Sequence, residues 1–114
     1  VLDLRRDDAI DAALDRVGLR PKQHLPLDAY SSGMRQRFAL ARLSLLGRDL
    51  ILLDEPETHL DAAGLGLLQE LIAEWKQRGA VIICATHAPE RFHSVGDLEV
   101  RLVGGRPKIA GGEA

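Results

Sequence analysis

The stretch Leu50-Ile51-Leu52-Leu53-Asp54-Glu55-Pro56 decides the fold class of this chain. Four consecutive aliphatic residues are too few for a helix and are typical of a strand that is buried on both faces of a sheet. The acidic pair Asp54-Glu55 follows at once, and the alternative to a functional role for it is a solvated acidic turn that Pro56 ends. Ligands bind beyond the carboxyl ends of the strands in open α/β sheets, so we expect both acids to face a binding site.

The segments around this strand alternate between helical and strand patterns. The predicted helices cover residues 7–17, 33–46 and 62–78, and the predicted strands cover residues 50–53, 80–85, 98–103 and 106–110. The order of strand, helix and strand predicts a βαβ unit with parallel strands. Gly104-Gly105 between the last two strands predicts a β-hairpin, and residues 111–114 are expected to form a frayed tail.

The run Tyr30-Ser31-Ser32-Gly33-Met34-Arg35-Gln36-Arg37 opens the second predicted helix. The unpaired N–H groups at a helix amino terminus form an anion site, and the small residues of this run would let the backbone approach a phosphate. The alternative is that Ser31 or Ser32 only caps the helix. The inner face of this helix is predicted to carry Met34, Phe38, Ala41 and Leu45.

Three further residues bear on function. His87 follows the second buried strand, which predicts that it lies beside the acids at the end of the neighbouring strand; the alternative is an ordinary loop residue or part of a capped turn. Asp61 precedes the third helix, and its alternative role is that of an N-cap. Cys84 lies within an apolar run and is interpreted as a buried small side chain rather than a nucleophile.

Composition excludes several classes of function. The formal net charge of −2 and the aromatic content of 4% argue against a nucleic-acid-binding surface, so no nucleic acid partner is expected. No apolar stretch reaches the roughly 18 residues that a membrane-spanning helix needs. Any association with a membrane is therefore expected to come through a partner.

The two runs described above resemble the signature motif and the Walker B motif of ABC-type ATPases. Their order, their spacing and the periodicity between them all fit that family. His87 is similar to the family's switch histidine, and Glu57-Thr58-His59-Leu60-Asp61 is similar to its D-loop. Three positions depart from the usual signature Leu-Ser-Gly-Gly-Gln, because Tyr30 replaces a leucine, Ser32 a glycine and Met34 a glutamine.

The resemblance implies an α/β fold that is only part of a P-loop NTPase domain of the ABC type. No Gly-Lys-Ser/Thr motif occurs in the 114 residues, so the phosphate-cradling P-loop half is missing from this sequence. Residues 1–47 would form the end of the helical subdomain, and residues 48–114 the parallel βαβ core and the carboxyl-terminal β-hairpin. Without the P-loop strand, we expect an unpaired strand edge or a hairpin repacked against it.

The resemblance also implies ATP and Mg²⁺ as cofactors. Asp54 would hold Mg²⁺, Glu55 would be the general base, and His87 would contact the γ-phosphate. The residues expected to meet nucleotide across a head-to-tail dimer are Ser31, Ser32, Gly33, Met34 and Asp61. Since the P-loop supplies most of the phosphate-binding groups, the chain alone is expected neither to bind ATP tightly nor to hydrolyse it.

The partners implied by the resemblance are a second ABC ATPase domain and a transmembrane permease subunit, at the cytoplasmic face of the cell membrane. Met34 to Arg37 and Ala85 to His87 resemble the haem-exporter and multidrug-type branches. Two alternatives stay open. His59-Leu60-Asp61 is also similar to a segment of the ribosome-associated translation-factor branch, and the chain could instead be a truncated, non-catalytic dimerisation module.

Overall fold

The structure, a computed structural model, describes residues 4–110, so the tail predicted for residues 111–114 lies outside the described residues. The helices are α1 (Leu4–Arg16), α2 (Ser32–Leu46) and α3 (Ala62–Gln77), and the strands are β1 (Leu50–Asp54), β2 (Val81–Ala85), β3 (Glu99–Val103) and β4 (Arg106–Ala110). Short 3₁₀ turns cover Arg20–Lys22, Leu27–Ala29 and Pro89–Phe92. Each predicted element is present within a few residues of its expected bounds.

The central unit is a parallel pair of strands, β1 and β2, connected by α3. Asp54, the last residue of β1, lies opposite Ala85, the last residue of β2. The predicted βαβ unit is therefore confirmed. Because the two strands end in the same register, the residues that follow them leave the sheet side by side at its carboxyl edge.

Two apolar clusters hold the described part of the chain together. The larger one fills the space between one face of the β1–β2 sheet and the helices and turn beside it; its buried members are Leu40, Ile51, Leu53, Leu68, Leu71, Ile72, Trp75, Ala80 and Phe92. The smaller one involves α2 and the segment that follows α1; its buried members are Val17, Leu19, Tyr30 and Ala41. Helix α2 contributes to both clusters, so it joins the helical segment to the βαβ unit.

The buried surface of α2 differs from the predicted one. Leu45, expected on the inner face, is 44% exposed, whereas Leu40 is almost fully buried in the larger cluster. A single inner stripe was expected, but α2 packs on two sides, against the helical segment and against the βαβ unit. Helical periodicity alone does not indicate this second contact.

The expectation that the first strand is buried on both faces is wrong for the described residues. Ile51 is 1% exposed but its neighbour Leu52 is 68% exposed, and the two alternate across the strand. Leu50, Val81 and Ile83 are exposed on the same side as Leu52. The described helices cover only one face of the sheet, so the other face is left apolar and open.

The carboxyl-terminal hairpin forms as predicted. β3 and β4 pair antiparallel through the turn at Gly104-Gly105, in a two-stranded sheet of their own. Within residues 4–110, β1 is the only strand that pairs with β2. Of the two outcomes expected at this edge, the structure therefore has the unpaired edge and not the repacked hairpin.

Candidate functional site

The acids that end β1 and the histidine that follows β2 meet at the carboxyl edge of the sheet. Glu55 Oε1 lies 2.7 Å from His87 Nε2. The backbone N–H of Glu55 donates to the carbonyl of Ala85 at 2.7 Å, which continues the strand pairing one residue past the end of β1. The structure thus brings Glu55 and His87 together, with Asp54 exposed immediately before them.

This contact is open to solvent. The side chain of His87 is 92% exposed, and that of Glu55 is also partly accessible. Exposed ion pairs contribute only about 0–1 kcal/mol to stability, so the pair is not needed to hold the fold together. A carboxylate and an imidazole within hydrogen-bond distance at an open sheet edge can instead accept, donate or transfer a proton.

The amino terminus of α2 is capped by its own chain. Ser31 has an extended backbone, and its hydroxyl accepts a hydrogen bond from the N–H of Met34 at 3.2 Å. Ser32 is exposed, while the side chain of Met34 packs against the smaller apolar cluster. The capping alternative for Ser31 is therefore present in the structure. No hydrogen bond or ion pair among residues 4–110 joins this helix tip to Glu55 or His87.

The first turns of α2 do contact the loop that follows the acid pair. A Cβ atom on Gly33 would lie 2.9 Å from the carbonyl oxygen of His59, closer than real Cβ contacts come. Gln36 Nε2 donates to the carbonyl of Pro56 at 2.8 Å. A glycine at position 33 is thus required by the close approach of α2 to the backbone of His59, whatever its role toward a ligand. The hydrogen bond from Gln36 to Pro56 was not predicted from the sequence.

Asp61 caps α3 and is also tied to α2. Its Oδ1 accepts from the N–H of Gly64 at 2.8 Å and lies 3.0 Å from Arg37 Nη2. The hydrogen bond from Gly64, followed by the charge of Arg37, lowers the pKa of the Asp61 carboxyl below its usual range. The N-cap alternative for this residue is therefore also present in the structure.

Sequence reasoning missed a buried carboxylate beneath the exposed pair. Glu57 is 7% exposed, and both of its carboxylate oxygens lie 2.9 Å from the hydroxyl of Thr86. The N–H of Ala88 in turn donates to that hydroxyl at 2.9 Å. Their positions in the sequence could have indicated this contact. Glu57 comes two residues after Glu55 and Thr86 one residue before His87, so both lie at the carboxyl edge of the sheet.

Cys84 has the properties of a structural cysteine and not of a nucleophile. Burial, followed by the charges of Glu57 and Asp54, raises the pKa of Cys84 to about 11, so its thiol stays protonated at neutral pH, as a structural cysteine does. Within residues 4–110, no group of three or more histidine, cysteine or acidic side chains is placed to hold a metal ion. None of the described helices has the length and apolarity of a membrane span.

Comparison with known proteins places this geometry in a family. The model of the family described as ABC transporter matches residues 2–58, which are 57 of the 114 residues. The cytochrome c biogenesis ATP-binding export protein CcmA of Pseudomonas aeruginosa is 42% identical over 80 residues, which cover 70% of this chain and 39% of that protein. Its counterpart in Vibrio cholerae is 41% identical over 81 residues, covering 71% of this chain and 39% of the relative.

A solved structure agrees with the sequence relatives. A protein described as a metal-chelate type ABC transporter, in an inward-facing conformation, superposes with a TM-score of 0.72 at 25% identity, over 90% of this chain and 41% of that one. The chain spans about two fifths of the length of the relatives that it matches. The family model covers half of the sequence, the solved structure shares the fold, and the chain accordingly belongs to the ABC transporter family.

Proposed function

We propose that this chain is the part of an ATP-hydrolysing transporter subunit that carries the catalytic acid and the switch histidine. The observation that carries the proposal is the 2.7 Å contact between Glu55 Oε1 and His87 Nε2 at the carboxyl edge of the parallel pair. Hydrolysis of ATP requires a water held in line with the γ-phosphorus and a group that accepts or orients its proton. In this proposal Glu55 is that general base, and His87 contacts the γ-phosphate and holds Glu55 in place.

Asp54 is proposed to contribute to Mg²⁺ binding. Its carboxylate is exposed beside the Glu55–His87 pair, and carboxylate oxygens are ligands that Mg²⁺ accepts. A single carboxylate fits this ion, since Mg²⁺ in nucleotide sites is held by one or two carboxylates together with phosphate oxygens and water. When bound, the ion would neutralise part of the phosphate charge; no closed metal site within the described residues is required.

The signature segment is proposed to serve a second ABC ATPase domain in a head-to-tail dimer. Ser31, Ser32, Gly33 and Met34 would face nucleotide held on the P-loop of that domain, and Asp61 would link the two sites. Within the described residues the helix tip makes no hydrogen bond or ion pair to Glu55 or His87, which favours use in trans. The proposed division of the chain at residues 47 and 48 is supported by the smaller apolar cluster, whose buried members all lie within residues 17–41.

The transport step is proposed to depend on a transmembrane permease subunit at the cytoplasmic side of the cell membrane. The two relatives described above are named as ATP-binding export proteins, which favours transport, and export in particular, over the ribosome-associated alternative. The resemblance of Met34 to Arg37 and of Ala85 to His87 to exporter-type ATPases points the same way. Coupling of ATP hydrolysis to export is thus the function proposed for the assembled protein.

A chimera tests the hydrolytic role. This chain is joined behind the P-loop segment of the Pseudomonas aeruginosa relative, and steady-state ATP hydrolysis is measured. We expect Glu55→Gln to lower kcat by about 100-fold or more, because removal of a general base costs roughly 10²–10⁴ in rate, while ATP still binds. Glu90→Gln, the same change at an exposed acid on the turn after His87, is the matched control and should retain the full rate.

Two outcomes would count against this proposal. One is a folded chimera that binds ATP but never hydrolyses it. The other is a Glu55→Gln variant that hydrolyses ATP as fast as the Glu90→Gln control. The unfused chain, which lacks a Gly-Lys-Ser/Thr motif, serves as the blank, and we expect it to show no micromolar ATP binding in a titration.

A further inference from the structure

The buried carboxylate of Glu57 joins the same two loops as the exposed Glu55–His87 pair. Glu57 lies two residues after Glu55 and Thr86 one residue before His87, so the two contacts run side by side between the ends of β1 and β2. Glu57 is the one charged residue among the buried side chains of the described chain. A charge is expensive to bury, so its place beneath the proposed catalytic pair calls for a physical reason.

The hydroxyl of Thr86 can serve as donor to Glu57 and as acceptor from Ala88 at the same time. Its hydroxyl has one proton, which it donates to the Glu57 carboxylate, and its oxygen accepts the N–H of Ala88. Both bonds involve the side chain of Thr86. One joins Thr86 to Ala88, the two residues that flank His87 in the chain, and the other joins Thr86 to Glu57. The carbonyl of Glu57 also accepts the N–H of Leu60 at 3.1 Å, which holds the acid in its own turn.

Among the described residues, the exposed Glu55–His87 pair has no such set of hydrogen bonds to fix its geometry. His87 extends almost wholly into solvent, and its described side-chain contact is with Glu55. Solvent competes for both groups, and side-chain entropy opposes any single arrangement of them. Glu57 is buried and its contact with Thr86 is partly buried, so water competes less for this contact than for the exposed pair. It therefore restrains the backbone of the His87 loop more strongly than the exposed pair does.

We propose that Glu57 and Thr86 are positioning residues that hold the His87 loop in register with Glu55. This inference rests on the proposed function, since positioning matters only if Glu55 and His87 act together on a phosphate. Neither residue is assigned a contact with substrate. Their effect is on kcat, through the placement of His87, and not on the affinity for ATP.

The ATPase test uses the chimera described above, with kcat and KM for ATP measured separately. We expect Thr86→Val, which keeps the shape but removes the hydroxyl, to lower kcat by about 10- to 100-fold, because misplacement by 1 Å can cost that much. The KM for ATP should change by less than about twofold. Thr86→Ser restores the hydroxyl and should restore most of the rate, while Glu90→Ala is the matched control for Glu57→Ala.

Amide hydrogen exchange on the 114-residue chain itself gives a second readout that needs no ATP hydrolysis. The N–H of Ala88 should exchange on the order of tenfold faster in Thr86→Val, which removes its acceptor. In Glu57→Ala the same N–H should also exchange faster, because the Thr86 hydroxyl loses the carboxylate that accepts its hydrogen bond and fixes its position. His87→Ala should leave the exchange of this N–H unchanged, because the imidazole takes no part in the bond.

The outcomes separate the inference from the function on which it rests. An active chimera in which Thr86→Val and Glu57→Ala hydrolyse ATP like Glu90→Ala overturns the positioning role and leaves the proposed function intact. Unaltered exchange of the Ala88 N–H in Thr86→Val also overturns it, even if the chimera is inactive for other reasons. Loss of kcat at unchanged KM, together with faster exchange at Ala88, supports it.

Discussion

The two faces of the β1–β2 sheet have similar residues and very different surroundings. One face, with Ile51 and Leu53, packs against α2 and α3 in the larger cluster. The other, with Leu52 and Ile83, is apolar and largely exposed. Both faces have the composition of a sheet that is covered on two sides, yet the described residues cover only one. Residue type therefore does not tell which face of a short aliphatic strand is packed within a given chain.

The largest expected effect comes from truncating one aliphatic residue on each face. Ile51→Ala should lower the free energy of unfolding of the 114-residue chain by about 2–5 kcal/mol, since it leaves a cavity in a packed cluster. Leu52→Ala, at the adjacent exposed position, should lower it by less than about 0.5 kcal/mol. Urea unfolding followed by circular dichroism measures both, and equal losses would mean that the two faces do not differ in packing.

A second test concerns how closely α2 approaches the loop after the acid pair. In Gly33→Ala the new methyl would meet the carbonyl of His59, and overpacking of this kind costs about 1–3 kcal/mol. Alanine recovers up to about 1 kcal/mol of helix propensity, so a net loss of about 1–2 kcal/mol in the free energy of unfolding is expected.

Gly66→Ala is the matched control for that change. Gly66 lies in α3, and apart from its chain neighbours and the adjacent backbone of that helix no atom of the described chain stands within 4 Å of where its Cβ would be. The substitution should therefore stabilise the chain by about 0.5–1 kcal/mol, which is the usual gain from replacing a helical glycine by alanine. Opposite signs at the two glycines are expected in urea titrations with unchanged m-values. A gain at both positions would contradict the close approach of α2 to the loop.

The sequence was sufficient to predict the parts of the site that depend on strand order. Parallel neighbours end at the same edge, so Asp54-Glu55 after one strand and His87 after the next had to lie near each other, and Glu55 and His87 are in contact. The helices and the hairpin were likewise evident from periodicity and from glycine positions. The resemblance to ABC-type ATPases is confirmed by the family model and by the solved structure.

Features that depend on the path of a loop or on the number of layers were not predictable. The Glu57–Thr86 contact requires the turn after β1, in which Glu55 and His59 both have positive φ, at 47° and 68°. No periodic pattern encodes such a path. Burial of Leu40 and exposure of Leu52 likewise depend on which elements stack on α2 and on the sheet, and that is decided by tertiary packing. The nucleotide roles of Ser31, Met34 and Asp61 stay predictions.

The smallest expected effect on stability, and the most direct test of the open face, comes from placing a charge there. A contiguous exposed apolar surface favours association, so we expect the 114-residue chain to self-associate through Leu52 and Ile83. Leu52→Lys should lower the fraction of dimers and larger species in sedimentation velocity, while the free energy of unfolding changes by less than about 0.5 kcal/mol. Leu102→Lys places the same charge on the exposed hairpin instead and should leave the association in place. If Leu102→Lys disperses the chain and Leu52→Lys does not, the hairpin, and not the open sheet face, is the surface through which copies meet.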